Sequence, residues 1–142
     1  MNIKFDFSDG SVFIESQKIN VDSLGKSSFP VSESRSISNS MKGNEKEWHF
    51  NQAFTTLSTT GSLVVRGTQE KISSICFLFD EINFFESSIL ESKIIKRFEN
   101  KYDIKVISSH PSIAEIGSFY WGKAWFSYDP KQGDINLCIT YI

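Results

Sequence analysis

From Ile75 to Phe79 every residue is apolar, within a segment that reads KISSICFLFD from Lys71 to Asp80. As a strand, it puts Ile75, Phe77 and Phe79 on one face and Cys76 and Leu78 on the other. A strand that is apolar on both faces belongs in the middle of a sheet, covered on both sides. The rest of the chain must supply the neighbouring strands and the covering layers.

Short alternating segments supply the neighbours. Ile3, Phe5 and Phe7 alternate with Lys4 and Asp6, and Ser8-Asp9-Gly10 makes a turn into Val12 and Ile14. Ile19 to Val21 reads as a third small strand. Trp48, Phe50, Phe54 and Leu57 lead to a turn at Thr59-Thr60-Gly61, and Leu63 to Val65 form the next strand. Ile104 to Ile107 begins another strand, and Pro111 and Gly117 bracket a loop. A long aromatic strand from Ser118 to Tyr128 is followed by a hairpin turn, Asp129 to Asp134, and a last strand, Ile135 to Tyr141.

One helix is expected at residues 88–101. Ser88-Ile89-Leu90-Glu91 is a capping box, and Leu90, Ile94, Phe98 and Tyr102 recur at every fourth position. Lys96, Arg97 and Lys101 fall in its last turns, where positive charge complements the helix dipole. Short turns between strands permit antiparallel pairing and not parallel pairing. The expected fold is therefore α+β: a curved antiparallel sheet of six to eight strands with one amphipathic helix packed on a face.

With 142 residues, the chain is the size of one domain, and 39% hydrophobic content suffices for a core. Residues 27–47 are rich in serine, with Ser32, Ser34, Ser36, Ser38 and Ser40 alternating. Little there can offset the conformational entropy of ordering, roughly 1–2 kcal/mol per residue. A mobile loop is the expectation, and a polar edge strand is the competing reading. A linker is not, because too few residues precede it to make a core of their own.

Several functions are disfavoured. A formal charge of −2 argues against general binding of nucleic acid. No apolar run reaches the ~18 residues of a membrane span, and the N-terminus, MNIKFDFSDG, is not a secretory signal, so a cytoplasmic protein is expected. His49 and His110 stand alone, without a second metal ligand at chelating spacing. No nucleophile elbow or phosphate-binding glycine motif occurs, so neither an enzyme nor a cofactor is expected. The two cysteines, Cys76 and Cys138, do not make a disulfide framework; they form a redox pair only if their strands are neighbours.

Two features point to a binding surface. Asp80, Glu81 and Glu86 cluster between the central strand and the helix. Read as one strand, Ser118 to Tyr128 places Phe119, Trp121 and Trp125 on one face and Tyr120, Phe126 and Tyr128 on the other. Trp and Tyr anchor many protein interfaces, and Asp80, Glu81, Glu86, Trp121, Trp125 and Tyr128 are the candidate partner-binding residues. The helix also carries a basic stripe, Lys93, Arg97 and Lys101, read as a solvated face.

In size, mild acidity and the pattern of a strand, a helix and a closing hairpin (Trp121-Gly122 to Tyr141), the chain is similar to the small bacterial immunity proteins of polymorphic toxin systems. The resemblance concerns the C-terminal half and implies a protein partner, a cognate toxin, with no cofactor and no catalysis. It rests on format, so no residue role is carried over. The alternatives are a small-molecule binder with an aromatic pocket and a structural subunit that dimerises through a sheet edge.

Overall fold

The computed structural model describes residues 1–36, 45–80, 93–129 and 134–142, without the side chains of Arg35 and His110. The N-terminal segment forms a small antiparallel sheet of β1 (Ile3–Asp6), β2 (Ser11–Ile14) and β3 (Gln17–Lys18). The Asp6 carboxylate accepts from the Ser8 N–H and hydroxyl, which closes the β1–β2 turn. Gly10 ends that turn at φ +78°, and a Cβ there would lie 2.5 Å from the Trp121 ring.

Val21 does not extend a third strand as expected, because Asn20 starts a helix. Its side chain accepts from the Ser23 N–H, and the Ser23 hydroxyl accepts from the Asn20 N–H. This short helix is α1 (Val21–Leu24).

The main sheet contains β4 (Val31–Ser36), β5 (Lys46–Phe50), β6 (Phe54–Thr56), β7 (Thr59–Gly67), β8 (Ile72–Phe79), β9 (Ile107–His110), β10 (Ile113–Phe119), β11 (Gly122–Asp129) and β12 (Asp134–Tyr141). Their order is β4-β5-β7-β8-β12-β11-β10-β9, with β6 paired to β7, and every pairing is antiparallel. Among the described residues the sheet is open, not the curved one expected, and its nine strands exceed the six to eight expected.

Two differences account for the extra strands. Residues 31–36 are strand β4 and Lys46 begins β5, where the sequence predicts a loop over 27–47; residues 37–44 of that loop lie outside the described residues. An edge strand needs only one backbone partner, here β5, and its serines need no apolar cover. The aromatic segment from Ser118 to Tyr128 is a hairpin: β10 ends at Phe119 and β11 begins at Gly122. β10 also takes in residues expected to form the loop between Pro111 and Gly117.

The turn placed at Thr59 to Gly61 lies two residues earlier, where Leu57 and Ser58 have φ of +51° and +58°. Gly61 is inside β7, and a Cβ there would collide with the Leu78 carbonyl oxygen and the Phe77 ring.

The second helix, α2, runs from Lys93 to Tyr102. Its predicted capping box, Ser88 to Glu91, lies outside the described residues. Ile94, Ile95 and Phe98 are buried. The Phe98 ring meets Phe126 of β11 edge-on at 5.3 Å and Phe7 at 5.4 Å. The helix and the small sheet together cover one face of the main sheet, where Leu63, Phe77, Phe126 and Leu137 are at most 1% exposed. The basic stripe is exposed as expected, and Arg97 donates to Thr59 Oγ1 at 3.0 Å. Among the described residues, no helix is long and apolar enough to cross a membrane.

The expectation that both faces of the central strand are covered holds for one face only. Ile75, Phe77 and Phe79 are buried, whereas Cys76 and Leu78 are half-buried. The small sheet, α1 and α2 all contribute their buried side chains to the core on the opposite face. Among the described residues, the Cys76 side of the sheet carries no covering layer.

Candidate functional site

The open face is built by alternation. Along β7, from Ser74 to Phe79 of β8, and from Gly122 to Ser127 of β11, buried residues alternate with half-buried or exposed ones, whereas on β12 Cys138 is buried like its neighbours Leu137 and Ile139. The strand registers then align one row across the sheet: Glu115, Trp125, Cys138, Cys76, Val64 and His49. Trp125 is half-buried in this row and is the largest side chain on it. A groove of about 350 Å³ lies beside its ring, lined also by Ile113, Glu115, Lys123 and Thr140.

Acids gather at one end of the same face. Asp129 faces Asp134 directly across the β11–β12 pair. Phe79 pairs with Ile135, so Asp80, one residue beyond the end of β8, comes level with Asp134. Asp80 is exposed, and the other two are half-buried.

At the other end the charges are mixed. The Glu47 carboxylate accepts from Arg66 Nε at 2.6 Å and sits 2.7 Å from His49 Nε2. Burial works to raise the Glu47 pKa, but the hydrogen bonds and charges of Arg66 and His49 together outweigh it and hold the carboxyl below its usual range.

The candidate residues fall in different places. Trp125 is on the open face and Asp80 at its acidic end. Glu81 and Glu86 lie outside the described residues. Trp121 is 8% exposed and belongs to the core side. Its ring stacks on Phe119 at 4.8 Å, and its Nε1–H donates to the Phe7 carbonyl at 2.9 Å. Tyr128 packs against the core on the face opposite Trp125.

The expected sharing of a face by Phe119, Trp121 and Trp125 fails because a turn at Tyr120 and Trp121 separates Phe119 from Trp125. Tyr120, at that turn, is 78% exposed. Sequence reasoning missed Asp129 and Asp134, which were read only as the ends of a hairpin turn. Their signal was two acids flanking that turn, and it acquires meaning only when β12 is known to lie beside β8.

His49 contacts Glu47, and the His110 side chain is outside the described residues. Among the described residues, no group of three or more His, Cys, Asp or Glu side chains is arranged to hold a metal ion. No protein-family model matches this chain, and neither curated proteins nor solved structures yield a significant match.

Proposed function

We propose that this chain is a non-enzymatic protein-binding module, a cytoplasmic immunity or inhibitor protein that docks a basic partner, a cognate toxin, on its open sheet face. The observation that carries this reading is the placement of Trp125. A large aromatic side chain stands half-exposed on a sheet face with no described covering layer, and an acidic end lies on the same face. Trp is among the residues that most often dominate binding energy when a partner seals them from water. Asp80 and Asp134 supply a field that attracts a positive surface and speeds encounter. Proteins that act on nucleic acid carry such surfaces, because their substrate is a polyanion.

A second reading has its own support in the groove beside Trp125. At about 350 Å³ it is at the small end of the range for ligand pockets, so a small apolar molecule is the competing occupant.

Affinity capture from the native host, run in parallel with the wild type and Trp125→Ala, separates the readings. The docking account expects a basic protein retained in stoichiometric amount by the wild type and lost from Trp125→Ala. A small molecule retained in its place supports the groove. A protein held equally well by both baits moves the interface off this face.

A further inference from the structure

Cys76 and Cys138 are 62 positions apart in sequence, yet they face each other across the β8–β12 pair at the centre of the sheet. The hydrogen-bond pattern says which kind of facing pair they are. The Asp80 N–H donates to the Thr60 carbonyl, so even-numbered residues of β8 turn their peptide groups toward β7. The Ile142 N–H donates to the Trp121 carbonyl, so even-numbered residues of β12 turn theirs toward β11. Cys76 and Cys138 therefore form a non-hydrogen-bonded pair.

Such pairs bring the Cα atoms to about 4.5 Å. That lies within the roughly 4.4–6.8 Å that a disulfide spans. Both side chains leave the sheet on the open face, and their Sγ atoms are 2.7 Å apart.

The two thiols are not equivalent. Cys76 is half-buried, whereas Cys138 is buried. A hydrogen bond from the Cys138 thiol holds Cys76 below the ordinary thiol range, against the effect of burial, and the Arg66 charge adds to it. Cys138 is pushed far up by that same bond and by burial. Cys76, the less buried of the two, is the thiol that a small disulfide meets first, and the thiolate is the attacking form.

We propose that Cys76 and Cys138 are a redox-active dithiol, which low-molecular-weight disulfides such as oxidised glutathione convert to an intramolecular cross-strand disulfide. The Cys76 thiolate attacks one sulfur of the small disulfide. That S–S bond breaks, a mixed disulfide forms on Cys76, and one small thiolate leaves and takes up the proton that Cys76 released. Cys138 then gives up its proton and attacks the Cys76 sulfur. The second small thiolate is expelled and takes that proton. The protein loses two electrons and two protons, and the oxidant becomes two thiols. This chemistry does not depend on the protein-binding reading, although the cross-link forms next to Trp125, which pairs with Cys138.

The test treats the reduced full chain with excess oxidised glutathione in native buffer. The remaining thiols are then alkylated, and the intact protein is weighed. The expected result is loss of both thiols from a monomer, a mass lower by two hydrogens, no retained glutathione, and reversal by reduced glutathione. In Cys138→Ser the reaction should stop at a glutathione adduct on Cys76. The proposal is overturned if the wild type keeps both thiols, accumulates the adduct without closing the cross-link, or links between chains. The wild-type measurement needs no substitution, so a serine variant that fails to fold leaves the test standing.

Discussion

Replacing Trp121 and Trp125 separately should give opposite outcomes, because the hairpin turn at Tyr120 puts their rings on opposite sides of the sheet. Trp121 ties the β10–β11 hairpin to the small sheet. It stacks on Phe119, lies 5.8 Å from the Tyr141 ring, covers Gly10, and donates to the Phe7 carbonyl at 2.9 Å. Removing a buried Trp costs about 3–5 kcal/mol through lost contacts and the cavity left behind. Leaving the Phe7 carbonyl without its donor adds about 1–3 kcal/mol. The sum, about 4–8 kcal/mol, reaches into the lower part of the stability of an ordinary domain, about 5–15 kcal/mol. Trp121→Ala should therefore lose a large share of the stability. Trp121→Phe, which keeps a ring and loses the donor, should fall in between. Trp125→Ala removes a ring with water on one side and should cost about 1–2 kcal/mol. Urea titrations followed by far-ultraviolet circular dichroism measure all three without relying on tryptophan emission. A loss below about 1 kcal/mol for Trp121→Ala, or a larger loss for Trp125→Ala, would refute the assignment of faces.

Two further substitutions test the core and its seam. Phe98 is fully buried between Phe7 and Phe126, so Phe98→Ala should lower stability by about 3–5 kcal/mol in the same titration, and a loss below about 1 kcal/mol would remove α2 from the core. The Tyr141 hydroxyl donates to the Gly10 carbonyl at 2.6 Å, and burial, with Asp9 nearby, holds its pKa above the tyrosine range. An unfolded tyrosine ionises near pH ~10, so this contribution is intact below that pH and is lost as pH rises past it. Tyr141→Phe should cost about 1 kcal/mol at neutral pH and flatten the alkaline decline in urea midpoint; an unchanged slope would mean that the hydroxyl is not held neutral by the fold.

Local pattern carried much of this fold. The apolar run from Ile75 to Phe79 is central, Asp6 to Gly10 closes a hairpin, and Ile94 and Phe98 are the buried side of a helix. What alternation could not show was where it is interrupted. The aromatic segment from Ser118 to Tyr128 keeps a strand-like composition straight through a turn. The turn at Tyr120 and Trp121 therefore moved Trp121 to the core while Trp125 kept its parity. The serines of β4 misled for a different reason. Burial was used as the test of order, and an edge strand is ordered by backbone pairing instead. The acidic end and the cysteine pair depend on β12 inserting between β8 and β11, a non-local fact about strand order. Asp80 with Asp134, and Cys76 with Cys138, are neighbours only after that insertion.

The docking claim is tested most directly by the rates at which the captured partner binds and leaves. On the account given, Asp80→Lys combined with Asp134→Lys slows association and weakens its dependence on salt, while Trp125→Ala chiefly speeds dissociation. Tyr120→Ala, at an exposed turn on no part of the docking face, should alter neither rate. An association rate that ignores the charge reversal, together with a dissociation rate that ignores the loss of Trp125, would contradict the claim that a partner docks on this face.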